Sequence, residues 1–275
     1  MKRFLLASAA AAVISTTAGA ADLPVKYPVK AIPEPGFSWT GFYIGGNAGY
    51  GWGGGSDDYY KNNCIKTPPS KTCTHKSITS YSLSGGGGGG LGGGGGGDPS
   101  GFVGGGQIGY NYQFQNNFVL GFETDIQGAD LRGSTDWSPV QHPGAFNRET
   151  SIDYYGTIRA RVGYAIDRFL PYVTGGLAYG KLGFSETFIS SQNPVWNYAA
   201  ADSSTKWGWT VGAGAEYAIT NNWSVRAEYL YVNLGNMDYA FSVPNYDSYG
   251  YYKDARFGSI DGSFQTLRFA VNYRF

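Results

Sequence analysis

The C-terminal stretch Phe264-Gln-Thr-Leu267-Arg-Phe269-Ala-Val271-Asn-Tyr273-Arg-Phe275 alternates without a break. Leu267, Phe269, Val271, Tyr273 and Phe275 fall on one side, and Thr266, Arg268, Asn272 and Arg274 on the other. A two-residue period is that of an extended strand. A half-buried soluble strand also alternates, but it seldom keeps an aromatic outer face to its final carboxylate. A barrel wall between hydrocarbon and water ends in such a strand.

The start of the chain agrees. Met1-Lys2-Arg3 is basic, Phe4 to Ile14 is apolar but too short to span a bilayer, and Ala18-Gly19-Ala20 offers the small residues of a cleavage site. Residues 1–20 are expected to be an export signal. Residues 21–38 follow as a Pro-rich periplasmic lead-in unable to hold a regular ladder or helix.

Composition excludes several alternatives. A formal net charge of +0 gives no electrostatic basis for binding nucleic acid. Charged residues make up 15%, against about 25% in ordinary soluble domains, while aromatics reach 17% and glycines number 44. Barrels place surplus aromatics in girdles at the two membrane interfaces. No run of about 18 apolar residues follows the signal, so any crossing must be made by strands of a closed barrel.

Eight alternating segments can be read: Trp39 to Trp52, Phe102 to Phe114, Phe118 to Asp130, Ile152 to Ile166, Pro171 to Phe184, Lys206 to Ile219, Trp223 to Leu234, and Phe264 to Phe275. Their connections alternate in length. Gln115-Asn116-Asn117, Asp167-Arg168-Phe169 and Thr220-Asn221-Asn222 are tight turns, whereas 53–101, 131–151, 185–205 and 235–263 are long. Barrels of the outer membrane keep short turns on the periplasmic side and long loops outside. The expected fold is all-β: an eight-stranded antiparallel transmembrane β-barrel over 39–275 with long extracellular loops. The first of these, 53–101, carries the oligoglycine tracts Gly85 to Gly90 and Gly92 to Gly97, which are read as a disordered spacer within it.

Assigning the large apolar residues to lipid leaves a charged inner face. Glu123 and Asp125 point inward from the third segment, Arg159 and Arg161 from the fourth, and Glu216 from the sixth. Arg226 and Glu228 follow from the seventh, and Arg268 and Arg274 from the last. The phase of the fifth segment is open. Eight strands enclose a bore that side chains can fill, so the mixed charges are expected to pair and plug it. The competing reading is a narrow ion path lined by the same residues.

Two motifs mislead. Gly104-Gly105-Gly106-Gln107-Ile108-Gly109 matches a dinucleotide fingerprint, but the two-residue period continues through Tyr110-Asn-Tyr112 where a helix should begin. His75 and His142 lie in connections without the spacing of a catalytic constellation, so no enzyme activity, catalytic residue or cofactor is expected. Tyr246, Tyr249, Tyr251, Tyr252 and His142 offer a haem-ligating set, although tyrosine-rich loops are ordinary in barrels. Cys64 and Cys73 are expected to form a disulfide in the oxidising exterior. A metal site made of both with His75 lacks a fourth ligand and paired spacing.

Several stretches together resemble a known group. These are Trp39-Thr-Gly-Phe-Tyr-Ile-Gly-Gly-Asn-Ala-Gly-Tyr-Gly-Trp52, Pro171-Tyr-Val-Thr-Gly-Gly-Leu-Ala-Tyr-Gly180, Trp209-Thr-Val-Gly-Ala-Gly-Ala-Glu-Tyr217, Trp223-Ser-Val-Arg-Ala-Glu-Tyr229 and the terminal strand. The chain resembles the small alphaproteobacterial outer-membrane proteins of the surface-antigen, RopB-like, porin-like family, which has haemin-binding relatives. The resemblance implies an eight-stranded barrel in the outer membrane of a Gram-negative bacterium, and it transfers no catalytic residue. The oligoglycine and Cys64 to Cys73 insert departs from the pattern. Expected partners are outer-membrane lipids and lipopolysaccharide around the belt, and the barrel assembly machinery at Leu267, Phe269, Val271, Tyr273 and Phe275; oligomeric state is not legible.

Overall fold

The computed structural model describes residues 37–53, 57–65, 75–83, 99–137, 144–191, 194, 197–247 and 250–275; the side chains of 57–83, 241–258, 135, 137 and 146 are outside that description. The strands are β1 (Gly41–Trp52), β2 (Asp57–Ile65), β3 (His75–Leu83), β4 (Ser100–Gln113), β5 (Phe118–Trp137), β6 (Gly144–Tyr164), β7 (Phe169–Ser190), β8 (Tyr198–Ala218), β9 (Trp223–Asp247) and β10 (Gly250–Arg274). Eight of them close an antiparallel ring in the order β1-β4-β5-β6-β7-β8-β9-β10, with β10 returning to β1. The β2–β3 hairpin adds to the free upper edge of β10 through pairs such as Arg256 with Lys61.

The ring's shear can be read from its register. A circuit leaving β1 at Phe42 runs through Tyr110, Phe122, Ala160, Gly175, Val211, Tyr231 and Gln265 and re-enters β1 at Trp52, ten residues further on. Eight strands with that offset tilt by about 40° and enclose a backbone radius of about 8 Å. A side chain from each wall reaches the middle of such a bore.

The outward residues fall into three levels. A periplasmic girdle holds Phe42, Tyr112, Phe118, Tyr164, Trp223 and Phe275, and an outer one holds Phe102, Trp207, Trp209 and Tyr229, all exposed. Between them lie mainly aliphatic residues such as Leu120, Val162, Val173 and Val271, with Phe269 among them. From Phe169 to Tyr179, at about 3.3 Å per residue and about 40° of tilt, the wall rises about 25 Å, the height of the apolar band of such barrels. On β7 the inward set is Tyr172, Thr174, Ala178, Leu182 and Phe184, and Val173 and Leu177 face out, which fixes the phase left open above.

The tight turns form where expected. Asn117 and Asp167 adopt φ of 65° and 53°, a conformation Asn and Asp tolerate better than most residues. Ile166 and Phe169 exchange both backbone hydrogen bonds, at 2.8 and 3.0 Å, around Asp167-Arg168.

The long connections differ from the sequence reading. Most of 131–151, 185–205 and 235–263 continues as strand, so β9 and β10 each reach 25 residues, and the segment 53–101 contains β2 and β3. The alternation read along the sequence was that of lipid-facing apolar residues. Above the girdle the outer face meets water, the contrast between faces weakens, and the strand carries on unseen. The signal, most of the lead-in, Cys73 with the Cys64 side chain, the oligoglycine tracts and His142 lie outside the described residues.

Candidate functional site: a three-tier lumen

The middle tier is charged. Arg159 on β6 is the hub: Nη2 stands 2.5 Å from Glu123 Oε1 and 3.0 Å from Asp125 Oδ2, and Nη1 stands 3.0 Å from Glu228 Oε1 on the far wall. Arg226 Nη1 meets Glu123 Oε2 at 2.6 Å. Arg268 bridges Glu228, at 2.6 Å, and Asp125, at 2.9 Å. Arg161 Nη1 meets Glu216 Oε2 at 3.0 Å. Four carboxylates and four guanidiniums thus form one cluster of zero net charge, each side chain almost wholly excluded from solvent. The planar fork of arginine suits this task, because one guanidinium can address several carboxylates at once.

Neutral donors complete the cluster. Tyr43 OH donates to Glu123 Oε2 at 2.6 Å, and Tyr172 OH to Glu228 Oε1 at 2.8 Å. The Arg161 guanidinium lies over both rings, 5.3 and 4.8 Å from their centroids. Ser224 and Asn272 donate to Glu216 at 2.6 and 3.0 Å, and Thr157 donates to Asp125 at 2.8 Å. Asn272 Oδ1 accepts from Gln107 at 2.7 Å, and Gln107 accepts in turn from Asn47. Tyr43 and Tyr172 were not singled out in the sequence, yet on β1 the outward series Phe42, Ile44 and Tyr50 places Tyr43 inside.

Arg274 is not part of this cluster. Its inward phase carries it below, to the periplasmic mouth, where Nη2 donates to the Asn221 carbonyl at 2.6 Å and the guanidinium covers Phe37 and Trp39, 4.5 and 5.3 Å from their centroids. This mouth is the lowest tier. Trp39 precedes β1 and turns into the barrel, 1% exposed, packed with Val119, Ala165, Leu170 and Ala218, with Phe37 against it. Its indole donates to the Asp167 carbonyl at 3.1 Å, and its backbone N–H donates to Gln113 Oε1 at 2.8 Å. The sequence reading placed Trp39 in the first wall segment, and its tryptophan-aromatic neighbourhood gave no sign that it leaves the wall.

The upper tier is apolar. Val103, Leu131, Ile152, Tyr155, Ala178, Leu182, Phe184, Leu230, Val232, Leu234, Met237, Tyr239, Ile260 and Phe264 form a continuous buried cluster. It exists because the β9–β10 ribbon bends over the bore. Leu234 and Gly235 stand opposite the single Gly262, a bulge in which Gly235 has φ of 73°. Two further bulges adjoin at the Leu131, Ile152 and Leu182 level. Bulges bend strands, and this bend brings β9 against β7. Above the cluster, buried Arg148 and Glu186 pair at 2.8 Å and Tyr198 OH donates to Glu186 at 2.7 Å.

A barrel with a lipid belt, a tight-turned side and tall strand extensions opposite is the architecture of an outer-membrane protein, and sequence comparison agrees. The model of the outer membrane protein beta-barrel domain matches residues 6–275. The chain belongs to that family. It is 39% identical over 280 residues to the 31 kDa outer-membrane immunogenic protein of Brucella melitensis, covering 100% of both chains. It is 28% identical over 214 residues to the 22 kDa outer membrane protein of Rhizobium leguminosarum bv. viciae, covering 76% of this chain and 71% of that one. The crystal structure of OprG from Pseudomonas aeruginosa aligns with a TM-score of 0.44 at 11% identity, over 88% of this chain and 100% of that one. By its family and its Brucella relative, the chain is an integral surface protein of a Gram-negative outer membrane, and its belt contacts outer-membrane lipid.

Proposed function

We propose that this barrel is a closed envelope component that stiffens the outer membrane and displays its strand extensions, without passing solutes and without catalysis. The carrying observation is the tier of Arg159, Glu123, Asp125 and Glu228 spanning the bore, with Trp39 below it and the Leu182 to Met237 cluster above. An ion would have to break a neutral, mutually hydrogen-bonded cluster and pass two apolar layers, and desolvating it there is costly. The exposed extensions above the outer girdle are the parts a host would meet, in keeping with relatives named as immunogenic. Lipopolysaccharide is the proposed neighbour of the belt's outer rim, and the assembly machinery the proposed reader of Leu267, Phe269, Val271, Tyr273 and Phe275. The strand bearing that last set is also the seam strand that closes on β1.

The test is single-channel recording of the refolded mature protein in a planar bilayer, with unboiled-gel mobility proving the barrel folded. Silence of a folded sample supports the closed lumen. Steady openings whose selectivity changes when Arg159 and Arg161 are neutralised would replace it with a porin.

A further inference from the structure

The charged tier and the apolar cap meet at a level that neither of them satisfies. Asp125 commits one oxygen, Oδ2, to Arg159, Arg268 and Thr157, and its Oδ1 has no hydrogen-bond partner among the described residues. Arg268 commits Nε and Nη2 to Glu228 and Asp125, and its Nη1 has none. One step further out on the same two strands, both amide atoms of Gln127 and the Thr266 hydroxyl are unbonded as well. Exchanging the oxygen and nitrogen of the Gln127 amide cures nothing, because both are without a partner. Tyr155 reaches across from β6 with its ring on Phe264, 5.1 Å between centroids, and its hydroxyl faces that of Thr266 without closing a hydrogen bond. Even a bond between those two hydroxyls would leave one O–H donor spare.

These atoms share one place. Arg268 Nη2 spans the bore to Asp125 at 2.9 Å, and two residues outward on each strand Thr266 of β10 stands level with Gln127 of β5. Gln127 is paired with Tyr155 across β5–β6. The wall beside them is bare: Gly49 pairs with Arg268, Gly51 with Thr266 and Gly105 with Gln127. Glycine at an inward position leaves room that a side chain would take. Leu131, which reaches Gly51, and Phe264 roof the space, and the ion pairs of Arg268 with Asp125 and Glu228 floor it. None of the five polar residues is more than 4% exposed.

We propose that this level is a binding site for resident water, held by Asp125, Gln127, Tyr155, Thr266 and Arg268. A buried water bridges about three polar groups, so the six atoms on offer take about two waters. The chemistry calls for a neutral guest that both donates and accepts. Arg268, Tyr155, Thr266 and the Gln127 amide donate, while Asp125 Oδ1 and Gln127 Oε1 accept. An anion at Arg268 Nη1 would meet the carboxylates of Asp125 and Glu228, and a cation at Asp125 Oδ1 the guanidiniums of Arg268 and Arg159. A buried polar atom without a partner keeps its desolvation cost in full, and a bridging water removes it. The bound water thus joins the charged tier to a cap that offers it no hydrogen bonds. Its slow exchange rests on the closed lumen proposed above, because the cap and the periplasmic mouth stand between the site and bulk water.

The experiment is magnetic relaxation dispersion of the water oxygen nucleus around the full mature protein refolded in detergent micelles. The comparison is the double variant Gln127→Met with Thr266→Val, which nearly keeps side-chain volume and removes three of the six atoms. The expected result is a dispersion from the unaltered protein that loses an amplitude of about one to two waters in the variant, with unboiled-gel mobility verifying that both are folded. Should the double variant not fold, Thr266→Val alone, an isosteric change, is read in the same way. An amplitude unchanged in the folded variant, or no dispersion from the folded parent, overturns the proposal. So does line broadening of the chloride nucleus that the variant abolishes, which would make the guest an anion. Channel openings in a planar bilayer test the closed lumen separately: a conducting barrel that keeps the dispersion difference refutes that reading and supports this one.

Discussion

Phe184 on β7 and Tyr239 on β9 stack across the mouth of the barrel, ring centroids 4.2 Å apart and planes 17° from parallel. The two strands are not neighbours in the ring, so this stack measures the closure of the ribbon over the bore rather than the pairing of the wall. A double-mutant cycle of Phe184→Leu and Tyr239→Leu, read by denaturant unfolding in micelles, is expected to give a coupling of about 0.5–1.5 kcal/mol. A coupling of zero would mean that the ribbon does not rest on β7 in solution.

Arg159 holds three carboxylates apart in a space with almost no solvent. Arg159→Met leaves Glu123, Asp125 and Glu228 without their shared cation and is expected to cost about 3–5 kcal/mol. Adding Glu123→Gln should recover part of that loss, because it removes one of the stranded charges. Unfolding midpoints of the single and double variants decide this, and a midpoint unchanged in Arg159→Met would rule out the hub role.

Trp39 closes the periplasmic mouth from outside the wall. Trp39→Ala is expected to cost about 3–5 kcal/mol, the range for deleting a buried large aromatic, and to admit water as far as Leu170. Unfolding gives the first quantity. Faster hydrogen exchange at the amides of Ala165 and Ala218, which bond to the Asn117 and Arg168 carbonyls at 2.8 and 2.9 Å, gives the second.

Gly235 sits at φ of 73°, where a side chain is strained, although a Cβ there would meet nothing within 4 Å. Gly235→Val therefore tests backbone conformation without a steric clash. The expected loss is about 1–2 kcal/mol, with exchange protection falling in β9 above Asn233 and holding below it. Uniform loss along β9 would mean that the bend and the barrel wall are one cooperative unit.

Phe275 ends the outward series of the seam strand, and its N–H donates to the Phe42 carbonyl at 3.0 Å. Phe275→Ser keeps that backbone bond and removes the terminal aromatic. If the aromatic is read during assembly, the heat-modifiable, folded fraction in the outer membrane should fall several-fold in cells, while refolding of the purified variant in detergent stays close to that of the unaltered protein. Equal losses in both settings would assign Phe275 a purely structural part.

The sequence by itself determined the wall within the membrane. Lipid on one side and a filled bore on the other impose opposite chemistry on successive residues. Leu120, Glu123, Arg159, Val162 and Phe269 can therefore each be placed from the two-residue period. The turn at Asn117 and the one at Asp167 were legible for a local reason, since each rests on a few adjacent residues. Tertiary structure alone decided the rest. Which arginine meets which acid depends on the ten-residue shear of the closed ring, a sum of offsets over eight pairings that no segment carries. The same closure separates Arg274 from the other charges and turns it toward Phe37 and Trp39. Above the outer girdle, water replaces lipid and the period fades. There the course of the chain is set by the Leu234 and Gly235 bulge and by the contact of Tyr239 with Phe184, residues far apart in sequence that become neighbours only when the ribbon folds over the bore.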